Sequence, residues 1–92
     1  MVRRRKSVWP DWWEWELKLT DHLFESMERR EFTEVELRRM MKDATGYHPD
    51  RDVDTRWVIE TWFRGTGWAV IVEPEADREL LDVVTAFQED PE

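Results

Sequence analysis

The chain has 92 residues, no cysteine, seven tryptophans and a formal net charge of −8. That length fits one small domain with a thin stability margin, and the absence of thiols excludes disulfide bonds and thiolate chemistry. Arg3, Arg4, Arg5 and Lys6 hold four of the 14 positive charges, so the remainder is more acidic still. It disfavours broad attraction to RNA or DNA, whose protein affinity comes largely from phosphate contacts.

The basic residues 3–6 run into Val8-Trp9-Pro10-Asp11 instead of an apolar stretch, and no run approaches the ~20 apolar residues of a membrane span. The expectation is a soluble cytoplasmic protein that needs no cofactor. Residues 1–12 are expected as a flexible or docked segment, 13–88 as a single domain and 89–92 as a tail.

From Trp13 the pattern alternates, with Trp13, Trp15, Leu17 and Leu19 on one side and Glu14, Glu16, Lys18 and Thr20 on the other. Period two with aromatic residues predicts a half-buried strand. Thr20 or Asp21 can cap a following helix that turns Leu23 and Met27 to the core, with Phe24 beside them. Thr33-Glu34-Val35-Glu36 fits a capping box. Leu37, Met40, Met41 and Ala44 form the apolar stripe of a second helix, with Gly46 as its expected stop.

Residues 47–54 read as a polar loop, in which Asp50, Asp52 and Asp54 alternate as in a calcium loop. Thr55 and Thr61 stand where that loop needs Gly and Glu, so no metal site is read there. The β-formers of 56–63, a turn at 64–67, an apolar strand at 68–73 stopped by Pro74, and a last strand at 80–87 predict a three-strand meander. The apolar 69–72 stretch belongs in the middle of the sheet. The predicted fold is α+β, in the order β-α-α-β-β-β, with an antiparallel sheet and two helices packed on one face.

On the first helix His22, Ser26, Arg29 and Arg30 fall on one edge beside the core stripe. An imidazole near guanidiniums is what metal-independent cleavage of a phosphodiester needs: the imidazole moves protons and arginine holds the phosphate. A solvated helix face is the plainer reading. His48 in the following loop is a second candidate proton carrier, Arg56 and Thr85 are candidates on the sheet, and Arg56 has same-side spacing with Glu60. Trp9 and Trp12 lie outside the regular pattern. Exposed beside Trp62 or Trp68, they would form an apolar patch of the kind that marks an interface. Pairing through the first or last strand would give a homodimer or a complex with another protein.

Three stretches, Leu17-Lys18-Leu19-Thr20-Asp21-His22, Met27-Glu28-Arg29-Arg30-Glu31-Phe32-Thr33-Glu34 and Leu37-Arg38-Arg39-Met40-Met41, carry a resemblance. With Val70-Ile71-Val72-Glu73-Pro74 and residues 81–87, they resemble a group of small bacterial domains. These are distant relatives of the RelE and BrnT ribonuclease toxins, in the barnase–EndoU–colicin–RelE superfamily. The resemblance implies the same strand–helix–helix–meander order and places the family's histidine at His22 and an arginine at Arg30. Ser26 stands where the family commonly has another arginine. Two functions follow as expectations. One is a protein-interaction module on such a scaffold, using Trp9, Trp12, Trp62 and an exposed strand. The other is a ribonuclease-like domain in which His22 moves protons, Arg30 and Arg29 hold phosphate, and Arg56 or Thr85 assists.

Overall fold

The computed structural model describes residues 9–89, so the expectations for residues 1–8 and 90–92 lie outside the described residues. Asp11–Glu14 form a short 3₁₀ turn, and strand β1 spans Glu16–Leu19. The expected strand start at Trp13 is therefore too early. The Trp13 and Trp15 amides close back on the carbonyls of Pro10 and Trp12 at 3.0 and 3.1 Å, which bends the backbone before it can extend.

Helix α1 spans Asp21–Arg30. The Thr20 hydroxyl accepts from the Leu23 amide at 3.2 Å and donates to the Val83 carbonyl at 2.8 Å. One side chain thus starts the helix and ties it to the last strand. Helix α2, Glu34–Lys42, begins with the expected capping box, in which the Thr33 amide donates to the Glu36 carboxylate at 2.9 Å. Leu23, Leu37, Met40 and Met41 are buried as expected, but Phe24 is 51% exposed and Ser26 takes the buried place instead.

Gly46 does not stop α2, which caps at Asp43. It opens strand β2, Gly46–Pro49, where a loop was expected. Half of this strand is exposed, so it lacks the apolar alternation that announces a strand. Strands β3, Trp57–Phe63, and β4, Thr66–Glu75, join through Arg64 and Gly65. Both residues have positive φ, 55° and 76°, as a two-residue hairpin turn of matching twist requires. Strand β4 runs through Pro74 instead of stopping there. Its pairing with β3 ends at Val72, so Pro74 needs no amide on that side. Strand β5 spans Leu80–Gln88.

The class is α+β, with a five-stranded mixed sheet in the order β1-β5-β4-β3-β2. All neighbours are antiparallel except β1 and β5, which run parallel, so the sheet is not purely antiparallel as expected. The elements between β1 and β5 return the chain to the same end before β5 begins. The last strand is interior, and β1 and β2 are the edges, so an interface through the edge of the last strand is ruled out.

Helix-side residues of the sheet, Ile59, Trp68, Val70, Val72, Leu81, Val83 and Ala86, form one core with Leu23, Phe32, Leu37, Met40 and Met41. Replacing Leu23, fully buried, by alanine should cost about 2–5 kcal/mol of stability. The same truncation at Val35, 74% exposed, should cost within about 0.5 kcal/mol beyond any helix-propensity change. Urea unfolding of the two variants measures both losses.

Candidate functional site

The helix edge does not gather into one constellation. His22 is exposed in the first turn of α1 and Arg30 in the last, about 12 Å apart along the axis at 1.5 Å per residue. Ser26 between them is fully buried, and its hydroxyl lies 2.6 Å from that of Thr85. An irregularity in the β4–β5 register makes this contact possible: Ile71 faces Thr85 and Val72 faces Val83, so Val84 is an extra residue in β5. Ser26 and Thr85 therefore satisfy each other inside the packing between helix and sheet. Arg29 faces solvent. Arg56 donates to Glu73 at 3.0 Å, not to Glu60, and lies before β3 while Arg64 lies after it.

The Ser26–Thr85 pair is testable as a polar contact within the packing. Ser26→Ala leaves the Thr85 hydroxyl without its partner and should cost about 1–3 kcal/mol. Adding Thr85→Val should recover part of that loss, giving a coupling energy in a double-mutant cycle. Additive losses would show that the two hydroxyls act independently.

Trp9 and Trp12 are not beside Trp62 or Trp68. Trp9 stacks on Trp13 with ring centroids 4.5 Å apart, and Trp12 meets Tyr47 edge-on at 6.1 Å and Trp57 at 5.6 Å. These rings, half-buried, close one end of the core. A cavity of about 600 Å³ lies outside them, bordered by Trp9, Trp13, Lys42 and Thr45.

The other face of the sheet carries no helix among the described residues. The register places Val58 against Ile71, Glu60 against Ala69, Ala69 against Phe87, and Trp62 against Gly67. Ala69 and Ile71 are buried by neighbours on this sheet, Val58 and Phe87 are half-buried, and Trp62 is 57% exposed. Trp62 is thus the exposed large apolar side chain of this face, beside an apolar centre that is buried or half-buried.

Titratable groups frame that centre. His48 on β2 meets the Glu60 carboxylate at 2.9 Å, and this hydrogen bond raises its pKa. Burial, and then the charge of Glu60, raise the pKa of Glu89. Burial, and then its hydrogen bond with Glu75, push Asp82 up to about 6, while the same contact holds Glu75 low. Of the two neighbouring carboxyls, Asp82 is thus the one that takes up a proton first as pH falls. Lys18, beside Asp82 in the register, opposes the rise. Sequence reasoning missed both sets, Glu60 with Glu89 and His48, and Asp82 with Glu75 and Lys18. Their positions in the chain were readable, but the contacts between strands that make each set were not.

At the opposite end from the tryptophan cluster, Arg30, Arg64, Thr66, Trp68 and Gln88 border a cavity of about 310 Å³. Phe32 and Phe63 meet the Trp68 ring edge-on at 5.6 and 5.4 Å. The Trp68 indole N–H is buried without a hydrogen-bond partner, an arrangement that costs about 1–3 kcal/mol.

Among the described residues no three His, Asp or Glu side chains are grouped as metal ligands. In the loop of alternating acids, read as no metal site, the Asp50 carboxylate accepts from the Asp52 amide at 2.9 Å. No described helix is long and apolar enough to cross a membrane. No family model, curated protein or solved structure matches this chain.

The Asp82 site predicts a pH dependence. Its carboxyl titrates near 3.8 when unperturbed and near 6 in the fold. A raised pKa contributes stability that is present below the lower value and lost as pH rises through the higher one. Asp82→Asn keeps a donor for Glu75 and has no charge to bury. It should be more stable than the parent at neutral pH, with an advantage that grows between about pH 4 and 6 and then levels. Urea midpoints across that range measure the difference.

Proposed function

We propose that this chain is a protein-interaction module whose helix-free sheet face docks a basic partner. The observation that carries this reading is exposed Trp62 on a helix-free face, beside half-buried Val58 and Phe87 and framed by carboxylates. Tryptophan on such a surface supplies large contact area at little entropic cost. Glu60, Glu73, Glu75, Asp82 and Glu89 outnumber Lys18, His48, Arg56 and Arg78 around this face, and the whole chain carries −8. That charge selects a cationic partner and opposes face-to-face pairing of two copies. The ribonuclease reading implied by the RelE and BrnT resemblance draws little from the geometry, because His22 and Arg30 sit about 12 Å apart and Ser26 is buried.

A Lys/Leu amphipathic peptide is a suitable probe, with a Glu/Leu peptide of the same length as its control. The cationic peptide should shift the backbone resonances of Val58, Glu60, Trp62, Ala69 and Phe87, and the anionic one should not. Trp62→Ala should weaken binding at least about tenfold, or ~1.4 kcal/mol. Lowering the pH from about 7.5 to 5.5 should also weaken it, because protonated Asp82 and His48 make the face less negative. Shifts confined to the helices, or no effect of Trp62→Ala, would overturn the assignment. So would light scattering that shows a dimer broken by Trp62→Ala. RNA cleavage by the parent but not by His22→Ala would replace binding with catalysis.

A further inference from the structure

We infer that the cavity between the end of α1 and the β3–β4 hairpin binds the oxyanion group, carboxylate or phosphate, of a small organic molecule. The reasoning starts from Arg30. Its guanidinium makes no hydrogen bond or ion pair among the described residues, although it borders a cavity. Among the described residues four arginines are engaged, Arg38 with Glu34, Arg56 with Glu73, Arg64 with Glu36 and Arg78 with Glu75; of the unengaged Arg29, Arg30, Arg39 and Arg51, Arg30 is the one that borders this cavity.

The second observation is Trp68. Its side chain is 4% exposed, borders the same cavity, and has the unpartnered indole N–H. Buried donors in native proteins are nearly always paired, so an unpaired one beside a cavity points to a missing acceptor. Indole and guanidinium groups are donors without acceptor capacity, and what they share is an affinity for oxygen lone pairs.

The remaining wall fits an anion as well. Arg64 is held in place by the Glu31 carbonyl at 3.1 Å and the Glu36 carboxylate at 3.3 Å, with its guanidinium 4.6 Å from the centre of the Phe63 ring. Thr33 and then Arg64 keep Glu36 ionised, so Glu36 offsets one positive charge. Arg30 and Arg64 against Glu36 leave a local excess of one positive charge in a molecule of −8. The Gln88 amide reaches the Thr66 hydroxyl at 3.5 Å and adds neutral donors at the rim. A planar guanidinium presents paired N–H groups that match a carboxylate or phosphate edge. The cavity of about 310 Å³ equals roughly ten water volumes, more than a bare phosphate ion fills. The apolar ring of Trp68 would flank the organic part.

Three probes separate the sources of the oxyanion: inorganic phosphate, phenyl phosphate and benzoate. Binding is read from the indole N–H resonance of Trp68, assigned by through-bond experiments on the intact chain. At least one ring-bearing probe should move that resonance downfield and bind more tightly than inorganic phosphate. Whichever of phenyl phosphate and benzoate binds more tightly names the oxyanion. Arg30→Gln should weaken binding at least about tenfold. Arg30→Lys should fall between, because it keeps the charge and loses the fork. Arg29→Gln, an exposed neighbour outside the cavity, should leave affinity unchanged. No movement of the Trp68 resonance with any probe up to about 10 mM, well above a ~1 mM Kd, would overturn the assignment. Equal affinity in the parent and Arg30→Gln would overturn it too, provided the variant keeps the parent's amide spectrum.

Discussion

Strand β4 is apolar on both faces, and the chain supplies helices for only one of them among the described residues. Trp68, Val70 and Val72 enter the core under α1 and α2. Ala69 and Ile71 point the other way and are shielded by side chains of neighbouring strands. Burial of apolar area dominates the stability of a domain this small, so the helix-covered face organises the fold. The uncovered face is what remains for contact with something else.

The position of β5 follows from the same constraint. It lies between β1 and β4, with α1 fixed above it by the Thr20 hydroxyl on Val83. A helix capped by a residue bound to the strand beneath has little freedom to slide. The extra residue at Val84 then adapts the strand to the helix, and the Ser26–Thr85 contact fills the polar gap. Residues that resemble catalytic positions by spacing thereby become parts of the packing.

Charge divides the surface into two chemical characters. Carboxylates gather around the open face, and some are forced close enough together to change their protonation. The two arginines at the hairpin end make a small positive region in an acidic molecule. Low effective dielectric near partly buried groups strengthens both effects relative to bulk water. The two surfaces lie on different parts of the fold and favour ligands of opposite charge.

Much of the architecture was legible in residue order. The capping box at Thr33, the α2 stripe, a hairpin connection within residues 64–67 and the apolar run of β4 are local patterns, and local backbone preference is enough to produce them. Strand β2 was not legible, because half of its side chains are exposed and carry no alternation, although it pairs with the next strand in the chain. The parallel pairing of β1 with β5 was hidden because it joins segments from near the two ends of the chain. Arg30 was picked out from the sequence, but for the wrong neighbour: helical angle placed it with His22, and axial rise separates them. Its actual companions, Arg64, Thr66, Trp68 and Gln88, come from strands that meet it only in the folded chain. The sequence by itself determined the two helices, four of the five strands and most of the side chains that seek the core, because those depend on near neighbours. The tertiary structure decided which face stays free of helices, which carboxyls crowd one another and which arginines stand together, because register and crossover set those distances.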